Sequence, residues 1–222
     1  MQEELIKKLS NNSELTIDDL KELHNFNDYN TLVNIFGKSH VACNESEITE
    51  DTICFLGDLY INEILPTYNL KYVYGGLFYY LDCVHNLENL VYVNKIANFG
   101  YIKSAIGLEN LQCVKSHARF NIEKSDGLDN LVYVGQDADF SSLIDASSLN
   151  NLNYIGRDAI FNKLKKADGL ENLKYIGGNA CFKVLEKGYD FNNLYYIGEL
   201  ENFGGMNLNK YKERSKILCK KN

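Results

Sequence analysis

Nothing in this 222-residue chain approaches eighteen apolar residues in a row, which argues against a membrane-spanning helix. The opening stretch Met1–Asn12 carries no apolar h-region and no cleavage site, so secretion is not expected either. Basic residues are outnumbered, 23 against 30 acids for a net charge of −7, which speaks against a general or sequence-specific nucleic-acid binder. None of the six cysteines (Cys43, Cys54, Cys83, Cys113, Cys181, Cys219) forms a CxxC or pairs with a histidine at metal-ligand spacing. They read as free thiols in a reducing, cytoplasmic compartment, with no metal and no cofactor expected. Tryptophan is absent and Pro66 is the one proline. No phosphate-cradling glycine loop and no nucleophile motif occurs.

What the chain does contain is an internal repeat. Leu followed three residues later by Val or Ile recurs as Leu70/Val73, Leu90/Val93, Leu111/Val114, Leu131/Val134, Leu152/Ile155, Leu173/Ile176 and Leu194/Ile197, in steps of 20 or 21 residues. Asn precedes the anchor leucine every time: Asn69, Asn89, Asn110, Asn130, Asn151, Asn172 and Asn193. A large apolar residue stands three before it in six copies, from Leu87 to Phe191, and Ala seven after it in five, from Ala97 to Ala180. An aromatic stands nine after it in all seven: Tyr79, Phe99, Phe120, Phe140, Phe161, Phe182 and Phe203.

These spacings do not follow the 3.6-residue period of an amphipathic helix. The Ala-x-Phe step of two predicts a short strand with two inward side chains. The Leu-x-x-Leu-x-x-Val steps of three predict an extended arc, with Gly135, Gly156, Gly177 and Gly198 at the corner between them. One such coil cannot bury its own apolar residues, whereas stacked coils bury them against the same columns above and below. At a strand spacing of about 4.8 Å, seven or eight coils make a rod roughly 35–40 Å long. The Asn column is expected to be structural, an inward ladder accepting from one coil and donating to the next.

The runs Gly169-Leu170-Glu171-Asn172-Leu173-Lys174-Tyr175-Ile176-Gly177-Gly178 and Phe55-Leu56-Gly57-Asp58-Leu59-Tyr60-Ile61 resemble the leucine-rich-repeat-type, receptor L-domain-like solenoids used by bacterial and viral proteins. The resemblance spans about two thirds of the chain. It implies a β-rich, right-handed coil with a parallel sheet, and binding without shared catalytic residues. The period is shorter than is usual in that group, and no disulfides frame the ends.

Three regions follow. Residues 1–50 read as helical, a cap or a partner-binding module: Glu3–Leu9, a second helix from the Thr16 cap to Asn25 with Asp19 completing a capping box, and a third from Asp28 to Phe36, stopped by Gly37. Residues 51–205 form the solenoid, with Phe55–Ile61 as a degenerate first coil. Residues 206–222 read as a basic helix, and both helical pieces are expected to cover open sheet edges.

Function must lie in what stacking leaves over. A tyrosine column stands two after the anchor (Tyr72, Tyr92, Tyr133, Tyr154, Tyr175, Tyr196, interrupted by Cys113) and is expected to be at least partly exposed. The outward residue of the Ala-x-Phe strand varies: Tyr60, Phe78, Asn98, Arg119, Asp139, Ile160, Cys181 and Asn202. Tyr60 and Phe78, joined by Tyr80, form its most apolar patch. Tyr60, Phe78, Tyr80, Arg119, Asp139, Tyr133, Tyr154 and Tyr175 are therefore the candidate binding residues, and the expected activity is non-enzymatic binding of a protein partner. This fits an inhibitor or effector of bacterial or phage origin, aimed at a protein or ribonucleoprotein target. A carbohydrate-binding tyrosine column is the alternative. A hydrolase on His117, Asp137 and Asp158 is a third reading, although Asp58 and Asn179 in the same column point to local turn bonds.

Overall fold

The computed structural model describes residues 2–11, 13–186, 191 and 193–203. The expected C-terminal helix therefore lies outside the described residues. The repeat builds a parallel β-solenoid of about seven turns. Up to Tyr154 each coil contributes a two-residue strand at the Tyr-Val/Ile step and a strand of two or three residues at the Ala-x-Phe step.

The first strands stack in register as Val41, Cys54, Tyr72, Tyr92, Cys113, Tyr133, Tyr154, Tyr175 and Tyr196. The second strands stack as Tyr60, Phe78, Asn98, Arg119, Asp139, Ile160 and Cys181. In the last two coils the strands fuse into Tyr175–Phe182 and Tyr196–Phe203, which run round the corner and join the two sheets. Cys54–Phe55 and Leu59–Ile61 pair with the next coil, so the degenerate first coil is a full member of the stack.

The third side is a chain of tight turns rather than the expected extended arc. Leu108 N–H donates to Ala105 O (3.0 Å) and Leu111 N–H to Leu108 O (2.9 Å), and the same pair of bonds recurs at Ser125–Leu128–Leu131. Steps of three are the period of such turns as much as of any arc. Gly107, Gly127 and Gly169 enter these turns with φ of 101°, 93° and 92°, the left-handed region that glycine tolerates.

Inside, the anchor leucines, the Val or Ile three after them, the alanines from Ala97 to Ala180 and the aromatics from Tyr79 to Phe182 are buried. The phenylalanines form a face-to-face ladder from Phe99 to Phe182, with ring centroids 5.1–5.4 Å apart and planes within 10°. Stacking at about the strand spacing follows from parallel register, which places identical side chains directly above one another. The Asn column is regular but not inward. Each side chain is exposed and donates through Nδ2 to the carbonyl of the residue preceding its counterpart one coil back, as Asn89 to Tyr68 (2.7 Å) and Asn151 to Asp129 (2.6 Å). Its role is to satisfy a carbonyl at an outer corner where no strand partner is available.

Helices α1 (Gln2–Ser10), α2 (Ile17–Glu22) and α3 (Tyr29–Phe36) form as the caps dictate. The Thr16/Asp19 capping box is closed, and the Asp28 carboxylate accepts from Thr31 N–H at 2.9 Å. Their position corrects the expectation of an edge cap. Leu5, Leu9, Leu20, Leu23, Phe26 and Leu32 pack onto the outer face of the tyrosine sheet, in one apolar cluster with Cys54, Tyr72, Tyr74, Tyr92 and Cys113. The edge itself is extended by the strand Val41–Ala42. Among the described residues no helix is long and apolar enough to cross a membrane.

Candidate binding surface

The helical layer divides the tyrosine column in two. Tyr72 and Tyr92 are buried beneath it, and Tyr133, at 9 % exposure, closes its border. There Lys21 Nζ lies 5.3 Å above the Tyr133 ring, and Lys115 Nζ donates to Lys21 O at 2.6 Å. The expectation that these tyrosines are at least partly exposed therefore fails for the first three, because α2 and its neighbours occupy the space above them. It holds for Tyr154, Tyr175 and Tyr196. Burial pushes the Tyr133 hydroxyl up to about 12 and the Cys113 thiol up to about 12, and it raises Tyr92 further still.

From Tyr133 onward the rings form a stack, with spacings of 4.8, 4.7 and 4.8 Å to Tyr154, Tyr175 and Tyr196 and planes within 10°. The cause is two residues further along each coil. In the coils of Cys54, Tyr72, Tyr92 and Cys113 that position holds Leu56, Tyr74, Asn94 and Lys115; from the border coil of Tyr133 onward it holds Gly135, Gly156, Gly177 and Gly198. The ring Cε1 of Tyr133, Tyr154 and Tyr175 lies only 3.0–3.4 Å from where a Cβ on the following glycine would stand. The rings lean over a glycine rail and align; with side chains in the rail, Tyr74 and Tyr92 meet edge-on at 60°. The switch from bulky residues to glycine was the signal in the sequence that marks where the helical layer ends.

The second sheet exposes a different stripe. Tyr60 and Phe78 stack at 4.8 Å and 9°, and Tyr80 meets Tyr101 at 5.5 Å. Tyr60 (45 %), Tyr80 (43 %) and Tyr101 (61 %) are well exposed. Tyr101 was missed in the sequence because the extra Gly100 shifts it out of the repeat column. Further along the same stripe Arg119 Nε stands 3.8 Å from Asp139 Oδ2.

His117 and Asp137 are brought together, Nδ1 to Oδ2 at 2.9 Å, with Arg157 Nε 3.7 Å from the other oxygen. The carboxylates in this column also serve the backbone. Asp58 accepts from Gly76 N–H (2.7 Å), Asp137 from Asp158 N–H (3.1 Å) and Asp158 from Asn179 N–H (2.7 Å). The expected local turn bonds are thus bonds between coils: each Asp bridges to the next turn of the solenoid at the corner where the strands part. No group of three metal-ligating side chains is present among the described residues.

No family model matches the chain, no curated protein matches its sequence and no solved structure matches it.

Proposed function

We propose that the chain is a non-enzymatic protein-binding solenoid. The observation that carries this reading is the aromatic group of exposed Tyr60, Tyr80 and Tyr101 with half-buried Phe78, carried on a sheet and continued by the Arg119–Asp139 pair. Aromatic anchors with a flanking charge pair are the composition of interface hot spots, and a sheet presents them at little entropic cost. The ring geometry supports a protein partner over a glycan. Sugars press their C–H faces on aromatic faces, but in both stripes the ring faces are largely turned toward one another, leaving edges and hydroxyls outward. The His117–Asp137 pair supports a structural role, since its carboxylate is held by a backbone N–H.

The finer parts of the reading belong to the same proposal. These are a leucine-rich-repeat-type, L-domain-like lineage with a right-handed coil, an intracellular setting, and service as a bacterial or phage inhibitor or effector. Affinity capture with the native chain and with a Tyr60→Ser/Phe78→Ser/Tyr80→Ser variant tests the function. A protein retained by the first and lost at least tenfold by the second, with unchanged far-UV dichroism, is expected. Equal retention by both chains overturns it.

A further inference from the structure

The columns that the N-terminal helices cover continue past the point where the helices end. Under the helical layer three adjacent columns supply the apolar contact: Ile53 and Val91; Cys54, Tyr72, Tyr92 and Cys113; Leu56 and Tyr74. In the open half the same columns read Val132, Asn153, Lys174 and Tyr195; Tyr154, Tyr175 and Tyr196; Gly156, Gly177 and Gly198. The surface is level there, because the rings lie across the glycines, and it is edged by exposed Tyr195.

We infer that this open half of the tyrosine face seats an acidic amphipathic helix from another protein, laid along the ring stack as a continuation of the layer that α2 begins. The inference rests on the protein-binding reading but concerns the opposite sheet from the Tyr60 patch. Continuity is the first argument, since the chain's own helices already show what these columns accept. The open rings from Tyr154 to Tyr196 cover spacings of 4.7 and 4.8 Å. That is the rise of roughly six helical residues, enough for apolar side chains at i and at i+3 or i+4.

Charge selects among occupants. Lys21, which pairs with Asp18 at 3.1 Å, stands over Tyr133 at the border of the seat, and Lys174 flanks Tyr175 within it. The helices accepted there are acidic: residues 1–36 carry seven acids (Glu3, Glu4, Glu14, Asp18, Asp19, Glu22, Asp28) against Lys7, Lys8 and Lys21. The chain's own C-terminal stretch 208–222 has the opposite sign, six bases against Glu213 alone, and would set cations against Lys21 and Lys174. A second copy offers no spare acidic helix, because its N-terminal helices are packed on its own sheet. Outward tyrosine hydroxyls add donors for the carboxylates of an acidic partner.

The test is selection from a displayed library of 18-residue helices, randomised on their surfaces, on the full-length chain with counter-selection on a Tyr154→Ser/Tyr175→Ser variant. Both chains are first matched by thermal unfolding. The expected winners are net negative with apolar residues at i and at i+3 or i+4. They should bind the native chain at least tenfold more tightly than the variant, weaken as salt is raised, and be unaffected by Tyr60→Ser/Phe78→Ser, so that failure of the other surface leaves this result readable. Winners that are basic or extended, equal affinity for both chains, or no enrichment at all overturn the inference. Binding that appears only after removal of residues 206–222 assigns the seat to the chain's own tail instead. A concentration-dependent dimer abolished by the variant assigns it to a second copy.

Discussion

Tyr92 and Tyr175 occupy one column of one sheet, four coils apart, and differ in almost everything else. Tyr92 has no exposed surface, meets its neighbour Tyr74 edge-on, and donates its hydroxyl to Asn94 at 2.7 Å. Tyr175 is half-buried and sandwiched face to face between Tyr154 and Tyr196. Two local differences account for this: what lies above the ring, and whether the residue two places on has a side chain. The repeat is therefore uniform in its core and two-faced on its surface. Its first half uses the tyrosine column as a core for the helices, and its second half leaves the same column to the outside.

Substitutions in the two halves should separate these roles. Tyr92→Ala removes a fully buried ring and is expected to cost about 3–5 kcal/mol, whereas Tyr175→Ala should cost under about 1 kcal/mol. Urea unfolding measures both, and comparable losses would end the distinction. In the rail, Gly177→Val drives a Cβ into the carbonyl oxygen of Gly156, with an expected loss of about 3 kcal/mol. Lys115→Ala, in the same column of the covered half, forfeits only the bond to Lys21 O and should cost no more than about 1.5 kcal/mol.

A graded effect concerns alkaline pH. Burial raises the thiols of Cys54 and Cys113 beneath the helices. The folded chain then keeps a proton that the unfolded chain loses above about pH 8.5, so stability falls as pH rises through that value. The expected loss is about 1 kcal/mol for each thiol between roughly pH 8.5 and 9.5. A Cys54→Ala/Cys113→Ala chain should lack that pH dependence, and an unchanged dependence would show that the helical layer does not seal the sheet.

Much of this was legible in the repeat. The anchor leucines, the alanines and the aromatic column fell inside because a coil of 20 or 21 residues has few inward positions, and each must be filled the same way every time. The caps at Thr16 and Asp28 were legible because capping is a bond within four residues. The tight turns on the third side were misread as an arc, since a step of three serves both. Tyr101 escaped because a single glycine moves it off register. The covering of Tyr72 and Tyr92 left no periodic trace, although the change from Leu56 and Tyr74 to glycine in the rail recorded it indirectly.

By itself, then, the sequence determined a stacked coil, its period, its inward columns and its three N-terminal helices, because each depends on spacing along the chain or on contacts between identical positions of neighbouring coils. Only the tertiary structure decided where the helices lie. Amphipathic helices need an apolar surface, and both the sheet edge and the tyrosine face offered one. Packing on the face buries Leu20, Leu23 and Phe26 against Tyr92 and Cys113, residues far apart in the chain that no repeat relates. That choice closed one half of the tyrosine column and left the other open.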